Sequence, residues 1–146
     1  QPLRVVVSGA AGGFPDDAAI SRQQGETVSV TAAEFGGVDA DRGEVIVLPG
    51  KEGEVDLPAL LDWLGEREIN NLLVETGGTL AASFVRQGLV DELIVYQSPD
   101  IMGASAQAML KLPEILKMSE KIKFEYRDLR TIGRDLKIIL QPLEKH

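Results

Sequence analysis

Residues 72–83, which read LLVETGGTLAAS, contain the pattern that decides the fold. An apolar run ends at Glu75, and Gly77 and Gly78 separate it from a second run of small and apolar residues. A short apolar run bounded by glycines predicts a buried strand, and the second run predicts a helix that Gly88 ends. We therefore predict a strand over 71–75, a tight turn over 76–78 and a helix over 79–87.

Short β-branched runs, loops and one further helix surround this segment. Asp56 is a candidate N-cap, and Pro58 together with apolar residues at helical spacing predicts a helix over 57–68. Residues 104–119 predict one or two short helical segments interrupted by Pro113. The remaining strands are predicted over 3–7, 27–31, 44–48, 92–97, 122–130 and 135–140.

The order of these elements predicts the fold class. Strands separated by helices favour parallel pairing, whereas the last two strands, joined by a turn over 132–134, predict an antiparallel hairpin. We expect an α/β fold with a mixed, mostly parallel sheet flanked by helices and a C-terminal antiparallel hairpin. The 146 residues suit a single domain, 1–146.

Composition excludes several classes of function. Cysteine is absent and the only histidine is His146, which excludes zinc hydrolysis, Cys–His catalysis and a Ser–His–Asp triad. The net charge of -8 disfavours binding to nucleic acid or to an anionic membrane. The basic residues of the C-terminal third do not form a separate basic patch, because they alternate with acidic ones. No signal peptide or apolar membrane span is predicted, and the lack of cysteine fits a reducing compartment.

A first glycine-rich turn follows the first strand, in residues 5–13, VVVSGAAGG. A strand that leads into glycines, with Glu34 after the next strand, suggests a dinucleotide-binding start. However, the spacing is not Gly-x-Gly-x-x-Gly, and Pro15 with two aspartates follows where a helix should begin. A surface loop is therefore the favoured interpretation.

The second glycine-rich turn, at Gly77 and Gly78, is better suited to an anion. The free N–H groups and the positive dipole end of a first helical turn favour negative charge, and glycine lets a pyrophosphate reach the backbone. Thr79 and Ser83 would add hydroxyl donors. The alternative is a strand–helix turn capped by Thr79 that binds no ligand.

Glu75 is the one well-placed carboxylate, at the predicted end of a strand. One interpretation is that it complements the positive helix terminus. The other is that it accepts hydrogen bonds from an uncharged, nitrogen-rich ligand. The pattern leaves both open.

Several segments of the chain share a resemblance to one family. Residues 69–80, INNLLVETGGTL, and 87–96, QGLVDELIVY, closely resemble the C-terminal reductase domain of RibD-type bifunctional riboflavin-biosynthesis proteins. Residues 99–103, PDIMG, and 1–7, QPLRVVV, are similar to two further segments of that family. The resemblance implies a dihydrofolate-reductase-like fold, a cytoplasmic homodimer and hydride transfer from NADPH. The implied substrate is 5-amino-6-(5-phosphoribosylamino)uracil, whose ribosyl group is reduced to the ribitylamino product.

The same resemblance implies site residues. Glu75 matches a substrate-contacting glutamate, no catalytic side chain is expected, and no metal is expected. The implied cofactor-binding residues are Gly9, Gly77, Gly78, Thr79, Leu80, Ala81, Ala82 and Ser83. The family usually has Asp-Ser where this chain has Ser8-Gly9, and a small residue where it has Thr76.

The resemblance also implies that this sequence is the C-terminal part of a reductase domain, without the start of that domain or the preceding zinc deaminase. We expect such a fragment to reduce its substrate poorly. Two alternatives stay open: a related reductase acting on a pterin-like substrate, and a degenerate nucleotide-binding or interaction module without turnover.

Overall fold

The computed structural model describes residues 1–9, 18–33 and 44–143, except for the side chains of Ser21 and Arg22. They form two compact units, Gln1–Leu72 and Leu73–His146. The first unit contains β1 (Arg4–Ser8), β2 (Thr27–Thr31), β3 (Glu44–Val47) and α1 (Leu57–Glu66). The second contains α2 (Gly78–Arg86), β4 (Leu93–Gln97), β5 (Phe124–Ile132) and β6 (Asp135–Pro142).

The first unit is built on a parallel sheet in the order β1-β2-β3. Val5 pairs with Val28, and Val30 pairs with Ile46, so the β-branched residues of the three strands lie in register. Val28 and Val30 are completely buried in the central strand. This strand alternates valine with Ser29 and Thr31, which are also buried, as in a strand that is covered on both faces.

Helix α1 adds three leucines to this core. The Ala59 N–H donates to Asp56 Oδ1 at 3.0 Å, so Asp56 is the predicted N-cap. Leu57, Leu60 and Leu64 recur at helical spacing and are nearly fully buried. The helix thus places one apolar stripe in the interior of the first unit.

Arg67 follows α1 and joins three parts of the first unit. Its guanidinium contacts Glu26 Oε1 at 2.8 Å and Glu44 Oε2 at 2.6 Å, and it stacks 4.3 Å from the centroid of the Trp63 ring. The hydrogen bond to Glu26 raises the pKa of Arg67, with Glu44 acting in the same direction and burial opposing them. Arg67 therefore connects the starts of β2 and β3 to the end of α1.

The second unit contains an antiparallel sheet in the order β4-β6-β5. A bulge at Tyr126 and Asp128 shifts the register of the β5–β6 hairpin, whose turn contains Gly133 at φ 63°. Every residue of these three strands is half-buried or exposed. The buried residues of this unit lie in α2 instead: Ala82, Ser83, Phe84 and Val85.

The α/β class and the C-terminal antiparallel hairpin are confirmed, and their strands are divided between two three-stranded sheets. The predicted strand over 71–75 is wrong, because these residues pair with no described strand and have no regular secondary structure. Leu73 in this segment is 76% exposed. Apolar composition predicts burial in a strand, but a strand also requires backbone partners on a neighbouring strand.

The predicted helical segments over 104–119 are also wrong, apart from a short 3₁₀ turn at Met118–Glu120. The Lys111 N–H donates to the Gly78 carbonyl rather than to the carbonyl four residues earlier, so a tertiary bond replaces the helical one. Among the described residues, no helix has the length and apolarity needed to cross a membrane.

Candidate functional site at the start of helix α2

The start of α2 presents unpaired backbone donors. Gly77 is the N-cap, with its carbonyl accepting from the Ala81 N–H at 3.2 Å. The N–H groups of Gly78, Thr79 and Leu80 make no hydrogen bond with the part of the chain that the structure describes. These are the donors that a helix leaves free at its N-terminus, where the dipole favours an anion.

Thr79 does not cap the helix, which corrects the alternative based on such a cap. It is the second residue of α2 and exposed, and no side chain makes a capping hydrogen bond. Since Gly77 has no side chain, no hydroxyl or carboxylate of the N-cap residue competes for the free N–H groups.

The two glycines have different surroundings. A Cβ built on Gly77 meets nothing within 4 Å, whereas one on Gly78 would lie 2.8 Å from the Ala108 carbonyl oxygen and 2.9 Å from that of Met109. Backbone oxygens at that distance exclude any side chain at Gly78. Only Gly77 therefore borders open space that a ligand could enter.

The remaining predicted cofactor residues lie along α2. Thr79 is exposed, Leu80 and Ala81 are half-buried, and Ala82 and Ser83 are 4% and 8% exposed. Ser83 follows Thr79 by four residues, on the same side of the helix. Of the two predicted hydroxyl donors, Thr79 is therefore the accessible one.

Glu75 lies three residues before α2, in the segment without regular secondary structure. Its carboxylate is exposed and makes no hydrogen bond or ion pair to other described residues. It is thus near the helix start in sequence and accessible to a ligand, but no strand fixes its position.

Gly9 belongs to the first unit, where it is exposed directly after β1 and a Cβ would meet nothing within 4 Å. The other predicted site residues all belong to the second unit. Glu34 and the glycines after Gly9 in the first turn lie outside the described residues. In the described ranges, no cluster of three or more acidic, histidine or cysteine side chains could hold a metal ion.

Sequence reasoning missed the backbone contact of residues 108–111 with Gly78. The carbonyls of Ala108 and Met109 face this glycine, and Lys111 bonds to its carbonyl at 2.9 Å. No composition signal marks this contact, because backbone atoms make it.

The comparison with protein families shows which family this chain belongs to. The family model described as RibD C-terminal domain matches residues 1–138. The chain belongs to the RibD C-terminal domain family. This membership confirms the resemblance on which the expected site residues depend.

Curated relatives support this family, and a solved structure shares the fold of this chain. The chain is 33% identical to riboflavin biosynthesis protein RibD of Escherichia coli strain K12 over 136 residues, 93% of this chain and 37% of that protein. It is 37% identical to a 5-amino-6-(5-phosphoribosylamino)uracil reductase of Buchnera aphidicola over 61% of this chain and 43% of that protein. RibD of Acinetobacter baumannii superposes with a TM-score of 0.79 at 23% identity, over 97% of this chain and 37% of that chain. The chain therefore spans less than half the length of these proteins.

Proposed function

We propose that this chain is part of an NADPH-dependent reductase of riboflavin biosynthesis that acts on 5-amino-6-(5-phosphoribosylamino)uracil. The observation that carries the proposal is the open start of α2 in a chain of the RibD C-terminal domain family: free N–H groups lie beside Gly77, whose Cβ position has no neighbour within 4 Å. The name of the Buchnera relative supports the choice of substrate.

The described residues fit the phosphate groups of a dinucleotide cofactor. The N–H groups of Gly78, Thr79 and Leu80 would donate to phosphate oxygens, and Gly77 would let them come close, since no Cβ intervenes. The exposed Thr79 hydroxyl would add a donor. The less accessible residues of the helix would support this turn: half-buried Leu80 and Ala81, and buried Ala82 and Ser83. Gly9 also stays a proposed cofactor-binding residue.

Glu75 is the proposed substrate residue. Its exposed carboxylate can accept hydrogen bonds from ring and exocyclic N–H groups of an aminouracil. When bound, NADPH supplies the hydride, so the protein needs to bind and orient both molecules rather than provide a nucleophile. This agrees with a site that contains no cysteine and no histidine among its proposed residues.

The wider assembly is also proposed. The resemblance favours a homodimer in the cytoplasm and a single domain, 1–146, that forms part of a longer bifunctional protein. The 37% coverage of the E. coli relative supports the last point. Reduction in that longer protein would be coupled to pyrimidine deamination by a part outside this chain.

A cofactor titration tests the proposal. The change in NADPH fluorescence is followed as the chain is added, with NADH titrated separately in parallel, for the parent chain and for Gly77→Asp. We expect saturable binding that prefers NADPH, and a loss of affinity of about tenfold or more in Gly77→Asp, because a carboxylate would occupy the anion position. Gly103→Asp is the matched control, since that glycine also borders open space.

Two outcomes would change the conclusion. Equal NADPH affinity in Gly77→Asp and the parent would place the cofactor elsewhere and remove the proposed site. Binding without NADPH consumption, with either the ribosylaminouracil or a pterin-like substrate, would favour a binding module. If neither cofactor binds, the titration is repeated on a chain extended upstream, and failure there would overturn the reductase proposal.

A further inference from the structure

The segment 108–111 lies across the first residue of α2. The Ala108 and Met109 carbonyl oxygens lie 2.8 and 2.9 Å from the Cβ position of Gly78, and the Lys111 N–H donates to the Gly78 carbonyl at 2.9 Å. The backbone of this segment therefore lies against Gly78 at the position where a side chain would be, and it also bonds to the Gly78 carbonyl. These contacts involve no side chain of residues 108–111.

Few other backbone hydrogen bonds hold this part of the chain. Met109 is 59% exposed, and upstream Ile101 and Met102 are 98% and 76% exposed. The bond from Ala106 to Gly103 closes a local turn. Within the described residues, Lys111 to Gly78 is the one backbone hydrogen bond that joins residues 101–116 to an element outside them.

The same stretch continues along α2. Leu112, Pro113 and Ile115 line a cavity of about 310 Å³ together with Val85 and Arg86 at the other end of the helix. Residues 108–115 thus contact α2 at its first residue and line a cavity together with its last two residues. Of these contacts with α2, only the one at Gly78 lies at the start of the helix.

We propose that Gly78 is a positioning residue in addition to offering its N–H to the cofactor. Because it has no side chain, it leaves room for the 108–111 segment, which fixes where α2 begins and the direction in which its first N–H groups point. The two glycines then have separate roles. Gly77 leaves room for the ligand, and Gly78 leaves room for the backbone that holds the helix start. The binding readout below rests on the proposed function, but the exchange readout does not.

The test measures hydrogen exchange of the Lys111 amide by NMR in the unliganded chain, for the parent, Gly78→Ala and Gly77→Ala. We expect exchange of this amide to be at least about tenfold faster in Gly78→Ala, because a methyl group cannot share the space of two carbonyl oxygens and the bond must open. Gly77→Ala is expected to leave this exchange rate unchanged, since its Cβ would point into open space.

Two further variants separate positioning from general destabilisation. Phe84→Leu weakens the buried side of α2 but leaves the Gly78 contact intact. When its loss of global stability equals that of Gly78→Ala, it is expected to keep the Lys111 amide protected from exchange. Lys111→Pro removes the donor while Gly78 stays unchanged. NADPH affinity is expected to fall about fivefold or more in Gly78→Ala and Lys111→Pro, but not in Phe84→Leu.

The exchange result decides the inference even if the chain does not bind NADPH. Unchanged Lys111 exchange in Gly78→Ala, or an equal rise in Phe84→Leu, would overturn it. If Lys111 exchange rises but NADPH affinity is the same in Gly78→Ala and the parent, the contact is structural only, which overturns the positioning role. If the parent does not bind NADPH, the titration is made on the upstream-extended chain, and the same comparison applies.

Discussion

The sheets of the two units differ in how their residues are buried. In the first unit the central strand β2 is buried from Val28 to Thr31, and α1 adds three nearly fully buried leucines. In the second unit, no residue of β4, β5 or β6 is fully buried, although β5 and β6 form the longest strand pair. The first sheet is stabilised mainly by its core, whereas the second depends more on its hydrogen-bonded register and turn. Equivalent substitutions should therefore have unequal effects.

The largest expected difference comes from removing the same two methyl groups in each sheet. Val30→Ala is expected to lower the free energy of unfolding by about 2–3 kcal/mol, because Val30 is completely buried and a cavity would remain. Val95→Ala, at a half-buried position of β4, is expected to cost less than about 1.5 kcal/mol. Urea unfolding followed by far-UV circular dichroism measures both. Equal losses would contradict the difference between the two sheets.

A smaller effect is expected at the turn of the second sheet. Gly133 has φ 63°, a backbone region that costs other residues about 1–2 kcal/mol. Gly133→Ala is expected to destabilise the β5–β6 hairpin by this amount and to speed amide exchange in both strands. Gly103→Ala, at a glycine with open space and no positive φ, serves as the control. Unchanged exchange in the hairpin would show that the turn does not set its stability.

The smallest effects are expected from the ion pairs of two arginines, one arginine in each unit. Arg67→Ala removes contacts with Glu26, Glu44 and the Trp63 ring, so the melting temperature should fall, and the fall should shrink as salt is added. Arg134→Ala breaks an exposed pair with Asp100 and should leave the melting temperature almost unchanged. Arg67→Lys is expected to be intermediate, since an ammonium cannot bind two carboxylates with a planar fork. An equal fall in Arg134→Ala would contradict this order.

The sequence predicted elements whose signals are local. The N-cap at Asp56, the burial stripe of α1 and the hairpin around Gly133 depend on residues close together in the chain, and all three are present. The predictions for residues 71–75 and 104–119 were wrong because the conformation of these segments depends on distant backbone partners. Composition does not reveal whether such partners exist.

In the candidate site, too, the local pattern was predictable and the contact with a distant segment was not. The double glycine before a helix was found from its pattern, and the helix begins at Gly78, one residue before the predicted start at Thr79. The division between Gly77 and Gly78 was not predictable, since it arises from carbonyls some thirty residues away in the sequence. The contacts of Glu75, Gly9 and the residues 77–83 with ligands stay predictions.

The placement of the aromatic residues has a practical consequence for spectroscopy. The only tryptophan, Trp63, belongs to the first unit and lies against a guanidinium, while both tyrosines, Tyr96 and Tyr126, belong to the second unit. Each unit therefore carries its own intrinsic chromophore. Tryptophan emission would follow the first unit. The tyrosine bands of the second-derivative absorbance spectrum, which are resolved from the tryptophan bands, would follow the second unit, so one unlabelled sample would show whether the two units melt in one step or in two.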